Sequence, residues 1–248
     1  MKKIMLVSLV AVMMMSFTAC MDKYEVKDEV TFKTYIEDVT PEETEVTTEE
    51  TTVVSETTTV ASEETDNAEE KTSVSNFVAN GCSVKIDESK WLDASAYIET
   101  MKSTEGETAE LKALEQKLKT TCDGAYYHKD LSGANFTIAS AEVGEQASQM
   151  DLSDNIISGM LARALEKELT NTGMTFVGAS TENYNGTPSL VITVDSPASM
   201  TGTVDMRAQM CIFYEGTYQY AITYTAAKQD FDNTKPDFNK VMNSIIFK

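Results

Sequence analysis

Beyond residue 76 the spacing of apolar residues switches several times between a period of two and a period of about 3.6. Cys82-Ser83-Val84-Lys85-Ile86 alternates and predicts a first strand. Asp87-Glu88-Ser89-Lys90-Trp91 then turns into a helical region, where Leu92, Tyr97, Ile98 and Met101 recur at roughly helical spacing. Leu111, Leu114 and Leu118 predict a second amphipathic stretch behind a cap-like Thr108, and Gly106 divides the two. Two strands are expected over 125–129 and 135–143, joined across Asp130-Leu131-Ser132-Gly133. The clearest helix is expected over 154–171. Ser153 is its expected N-cap. Ile156, Ile157, Met160, Leu161, Leu165 and Leu169 form its expected apolar stripe. Gly173 stands where a C-terminal glycine belongs.

The last third reads as a meander and one helix. Strand 174–182 leads to Asn185-Gly186, a strong hairpin signal. Strand 189–195 alternates Leu190, Ile192 and Val194. Strand 203–214 places Met206, Ala208, Met210 and Ile212 on one face. Glu215-Gly216 turns into strand 217–226, with Tyr218, Tyr220, Ile222 and Tyr224 on one face. Thr234 is expected to cap a helix beginning near Pro236, with Asp237 at the capping-box position. Phe238, Val241, Met242 and Ile245 are its expected buried stripe. The order implies an α+β class: one central antiparallel sheet flanked by helices, an α/β/α sandwich in a single globular domain.

The first 75 residues follow a different pattern. Lys2 and Lys3 precede a stretch, Ile4 to Met15, that is apolar apart from Ser8. With its small-residue end it reaches Ala19, about 16 residues against the roughly 20 that span a bilayer, and it suits a signal peptide. Phe17-Thr18-Ala19-Cys20 resembles the lipobox of bacterial lipoproteins, with Phe17 in place of the usual Leu. Residues 1–19 are therefore expected to be a signal peptide, and Cys20 the site of lipidation. Residues 21–75 hold 17 acidic and four basic residues, and no aromatic occurs between Tyr35 and Phe77. Such a Thr- and Glu-rich segment cannot bury enough apolar surface to offset chain entropy. Residues 20–75 are expected to be a disordered, extended tether, and 76–248 the folded domain.

Charge and cysteine usage narrow the chemistry. The formal charge of −20 argues against a nucleic-acid partner, which needs clustered Lys and Arg. It also argues against electrostatic docking on anionic lipid. None of the four cysteines is in a CxxC pair, so no zinc site is suggested. The single histidine, His128, excludes any device that needs two. No nucleophile elbow, phosphate loop, dinucleotide fingerprint or HExxH occurs. Asp230, Asp232 and Asn233 lack the glycine and bidentate Glu of a calcium loop and read as turn and pre-helix residues. The sequons at Asn135 and Asn185 carry no expectation in a bacterial lipoprotein. Cys82 and Cys122 each stand at the entrance to an expected strand. They either form a disulfide, closing a loop of about 40 residues for roughly 3–4 kcal/mol, or remain free with Cys211. Tyr214, Tyr218, Tyr220 and Tyr224 suit either a binding face for sugars or peptides or a sheet face beneath a helix.

Trp91 after the first strand, the entry Gly133-Ala134-Asn135-Phe136-Thr137, and the ending Tyr220-Ala221-Ile222-Thr223-Tyr224-Thr225-Ala226 resemble the PsbP-like fold. Phe231 and a closing helix into Ser244-Ile245-Ile246-Phe247 complete the resemblance. It spans residues 76–248. That fold is an α/β/α sandwich named for an extrinsic photosystem II subunit and shared with nuclear-transport factors of the Mog type. The chain also resembles lipoproteins of unassigned function in Gram-positive gut bacteria. The segment near 92–121 is longer than the family's usual loop. No ligand set here matches a manganese site, so that role is not implied. The resemblance implies a binding or assembly module and lowers the expectation of an enzyme.

The expectation is a membrane-anchored, extracytoplasmic, non-enzymatic binding or assembly module, with no cofactor, acting on a protein or cell-wall component. The rival is a solute- or glycan-binding lipoprotein serving a transporter or sensor.

Overall fold

The computed structural model describes residues 73–130, 133–145, 147–201 and 204–248. The expected signal peptide, Cys20 and residues 20–72 of the expected tether lie outside the described residues; its last residues do not belong to a tether, because a strand begins at Val74. The first described element is a strand that the hydrophobic pattern did not reveal. β1 (Val74–Ala79) pairs antiparallel with β2 (Cys82–Asp87) across Asn80-Gly81. Both turn residues have positive φ, 48° and 85°, as a tight two-residue hairpin requires. Gly81 is also where the chain end arrives: a Cβ there would meet the Lys248 carbonyl oxygen at 3.0 Å. β10 (Ile246–Phe247) joins the other edge of β2. The result is a small sheet in the order β1-β2-β10.

The remaining described strands form one antiparallel sheet of seven. They are β3 (Trp91–Asp93), β4 (Gly124–His128), β5 (Asn135–Glu142), β6 (Thr175–Tyr184), β7 (Thr187–Ser196), β8 (Met206–Glu215) and β9 (Tyr218–Ala227). Their order is β3-β4-β5-β9-β8-β7-β6. Side chains alternate across a strand, so register sorts them into two faces. Tyr126 opposes Phe136, Phe136 opposes Tyr224, and Cys211 opposes Ile222; these share one face with Phe213. The other face carries Leu190, Ile192, Val194, Met206, Met210 and Ile212.

Each face has its own cover. The aromatic face lies under Cys82, Val84 and Ile86 of the small sheet and under α5 (Phe231–Met242). Phe238, Val241, Met242 and Ile245 are at most 1% exposed, so the expected stripe is the buried one. The Met-rich face is covered by α3 (Asn155–Asn171), through Leu165 and Leu169. Beyond it, α1 (Ala94–Glu105) and α2 (Ala109–Thr121) cover Ala125 and Tyr127 at the β4 end. A short helix, α4 (Ala198–Thr201), precedes β8. The class is α+β, a central antiparallel sheet flanked by helices, with the small sheet as an unforeseen part of one layer.

Several local expectations need correction. The N-cap of α3 is Asp154, whose carboxylate accepts from the Ile156 N–H at 2.7 Å; Ser153 is instead held by Asp151. α5 begins at Phe231, not near Pro236. Thr234 lies within it, with its hydroxyl against the Tyr224 hydroxyl. Asp237 caps nothing and pairs with Lys240 and His128. Phe231 is 3% exposed. Its packing on Tyr224, with ring centroids 4.9 Å apart, draws the preceding turn into the helix. Pro236 is tolerated there at the cost of one helical hydrogen bond. Trp91 opens the short strand β3 rather than a helix.

Candidate functional site

The tyrosine strand was the most suggestive feature of the sequence, and β9 does place Tyr218, Tyr220 and Tyr224 on one face. Tyr224 is fully buried and stacks on Phe238, with centroids 5.0 Å apart and ring planes at 16°. Its hydroxyl donates to the Phe231 carbonyl at 3.1 Å. Tyr220 is buried against Phe247, and its hydroxyl donates to the Asn80 carbonyl. Tyr218 is half-buried beside it. Tyr214 does not belong with them: it projects from the opposite face, with Met210 and Ile212. Burial pushes the Tyr214, Tyr220 and Tyr224 hydroxyls up to about 12.

His128 is buried, with its ring edge-on to Trp91 at 4.9 Å. The Asp130 backbone N–H donates to Nδ1 at 3.3 Å, so the ring proton sits on Nε2, 3.3 Å from Asp237 Oδ2. Both nitrogens are therefore occupied within the protein. Asp237 feels two opposed effects. Burial raises its pKa, but bonds from Lys240 and His128 outweigh that and hold it below the ordinary value.

Cys82, Cys122 and Cys211 are free thiols. The sheet itself separates the first two. Cys82 belongs to the aromatic-face core, whereas Cys122 packs with Ala125 and Tyr127 on the other face. Burial pushes Cys82 up to about 12, Cys122 to about 11 and Cys211 to about 12, with Asp123 adding to the first two. A thiol held so high is not the thiolate that acts as a nucleophile.

The surface is more informative. Ile156 is 72% and Met160 65% exposed, although both were expected in the core stripe of α3. The physical reason lies in the spacing. Ile156 is nine residues from Leu165, and Met160 nine from Leu169. Nine residues at about 100° each are two and a half turns, which places the pairs on opposite sides of the helix. Arg163 and Lys167 continue the outer stripe, both exposed. A like-charge pair four residues apart costs an isolated helix about 0.2–0.5 kcal/mol. The outer face of the small sheet also exposes Val74, Val78 and Ile246. The nine-residue spacing was the signal that could have identified the outer stripe from sequence.

Among the described residues no helix is long and apolar enough to cross a membrane, and no group of His, Cys, Asp and Glu has the spacing of a metal site. No protein-family model matches the chain, and no curated protein matches it in sequence. Solved structures do resemble it. One is the solution structure of CyanoP, the cyanobacterial PsbP of Synechocystis sp. PCC 6803. It is 9% identical over 75% of this chain and 98% of that one, with a TM-score of 0.44. A crystal structure from Bacteroides thetaiotaomicron is 13% identical over 70% of this chain and 48% of that one, with a TM-score of 0.39. LpqN, involved in cell envelope biogenesis of Mycobacterium tuberculosis, is 8% identical over 73% and 87%, with a TM-score of 0.35.

Proposed function

We propose that this protein is a lipid-anchored, extracytoplasmic module that works by binding and assembly rather than by catalysis. The observation that carries the reading is the second apolar stripe of α3. Leu165 and Leu169 already fix the helix to the sheet, so Ile156 and Met160 add nothing to the core. Exposed apolar residues grouped on one rigid element mark an interaction surface. Two further observations support it. The histidine has both ring nitrogens engaged internally, and burial of the Cys82 and Cys211 thiols favours their protonated form. Phe17-Thr18-Ala19-Cys20 and the acidic tether supply the anchor and the stalk.

The test uses the full chain, extracted from its own envelope in mild detergent and sized by light scattering corrected for detergent. Wild type should run above the mass of one lipidated chain. Ile156→Glu should run as one chain and, diluted to where wild type also runs as one chain, should unfold in urea at the wild-type midpoint. Wild type running as a single chain would contradict the binding reading. The anchor is tested separately: Cys20→Ser should leave the membrane fraction and lose labelling by a fatty-acid analogue, and unchanged retention and labelling would contradict it.

A further inference from the structure

We infer that the Met-rich face of the sheet holds a binding site for a neutral sugar or polyol, floored by Thr223 and Thr225 of β9. The inference is independent of the outer stripe of α3. Separate apolar clusters stand at the two sides of this face. One joins α3 to β7 and β8, and the other joins α1 and α2 to Ala125 and Tyr127 of β4. Between them, β5 and β9 carry short and polar side chains. Thr223 stands in register with Thr137 and Met210, and Thr225 with Asn135 and Ala208. Ala139 and Ala221 oppose each other in the next row of the same face. The patch is closed to solvent, yet the fold leaves hydroxyls over in it. Thr223 and Thr225 are 0% exposed, and neither hydroxyl has a hydrogen-bond partner among the described residues. A buried hydroxyl without a partner is costly. Valine has nearly the same shape and would remove that cost, so packing alone does not account for two threonines here.

The hydroxyls define the ligand. Same-face residues two apart on a strand stand about 7 Å from each other, so the pair can bond to opposite edges of one sugar ring. Each hydroxyl can donate and accept, as a ligand hydroxyl can. None of the residues in register with them is charged, so a charged group would be buried unpaired at high cost. β5 and β9 are hydrogen-bonded to strands on both sides. No sheet edge is therefore open here to pair with an extended peptide. Tyr127, one strand beyond Asn135 and stacked on Tyr97 at 4.1 Å, supplies a flat apolar wall. The closure of the patch favours a single ring or short polyol over a longer chain.

Valine and serine substitutions in the full chain test this, in a detergent without a sugar headgroup and at a concentration where wild type runs as one chain. Without ligand, Thr223→Val with Thr225→Val should unfold in urea at or above the wild-type midpoint, because it removes hydroxyls that bond to nothing. Binding is read by saturation-transfer NMR, with glucose, N-acetylglucosamine and glycerol as probes at millimolar concentration. Wild type should bind at least one of them. The double valine variant should bind it about tenfold more weakly, and Thr223→Ser with Thr225→Ser should bind it as wild type does. A valine midpoint below wild type would show that the hydroxyls are bonded within the fold, through enclosed water, and would overturn the inference. So would binding of none of the probes, binding that the valine variant retains, or binding that the serine variant loses equally.

Discussion

α5 and α3 carry the same kind of sequence signal, apolar residues at helical spacing, and use it differently. In α5 the residues Phe238, Val241 and Met242 all point inward, and each is at most 1% exposed. In α3 only part of the apolar set does so: Leu165 and Leu169 are buried, while Ile156 and Met160 face solvent. α5 closes the aromatic face, where Tyr224 and Phe136 meet Phe238, so its apolar residues have one destination. α3 rests on the sheet by one stripe and carries a second that the fold does not need. Helical periodicity thus reports that residues are apolar, whereas the angle between them reports how many surfaces the helix serves.

The largest effect should come from α5. Phe238→Ala removes a fully buried ring and should destabilise by about 3–5 kcal/mol, a large part of the roughly 5–15 kcal/mol that holds a domain together. Urea unfolding of the full chain measures it, and a wild-type midpoint would mean that α5 is not core. Leu165→Ala should come next, at about 2–5 kcal/mol. If it proved neutral, the inner stripe of α3 would lose its role and the contrast with α5 would collapse.

A smaller effect separates the helices by pH. Asp237 of α5 is held below its ordinary pKa by Lys240 and His128, against the effect of burial. A carboxylate whose folded pKa is lowered contributes stability above its unfolded pKa, and loses it as pH falls through the folded value. Stability should therefore decline on acidification below about pH 4, and Asp237→Asn should flatten part of that decline. Identical profiles for wild type and Asp237→Asn would remove the pair from the account.

Much of the fold was legible because strand alternation and glycine turns are local. Asn185-Gly186 has φ of 50° and 91°, and Thr108 caps α2 by accepting from the Leu111 N–H, both as their residue types suggest. β1 was missed because its outward positions, Val74 and Val78, are as apolar as its inward Phe77, so no alternation shows. Asn80-Gly81 was nevertheless the same hairpin signal as Asn185-Gly186. The start of α5 was missed because Pro236 and Thr234 look like a helix beginning. The burial of Phe231 on Tyr224, which extends the helix, depends on a strand seven residues away in sequence but adjacent only in space. The candidate surface was half legible: its residues were identified, but their division between two sides of α3 was not.

The division of α3 into an inner and an outer stripe is tested most directly by two midpoints. Leu165→Ala and Met160→Ala each remove a large apolar side chain from the same helix. Urea unfolding of both full-length variants is compared with wild type at a concentration where light scattering reports single chains. Leu165→Ala should lose about 2–5 kcal/mol, and Met160→Ala should stay within about 0.5 kcal/mol of wild type. Equal losses would show that both stripes belong to the core and that α3 has no surface to offer.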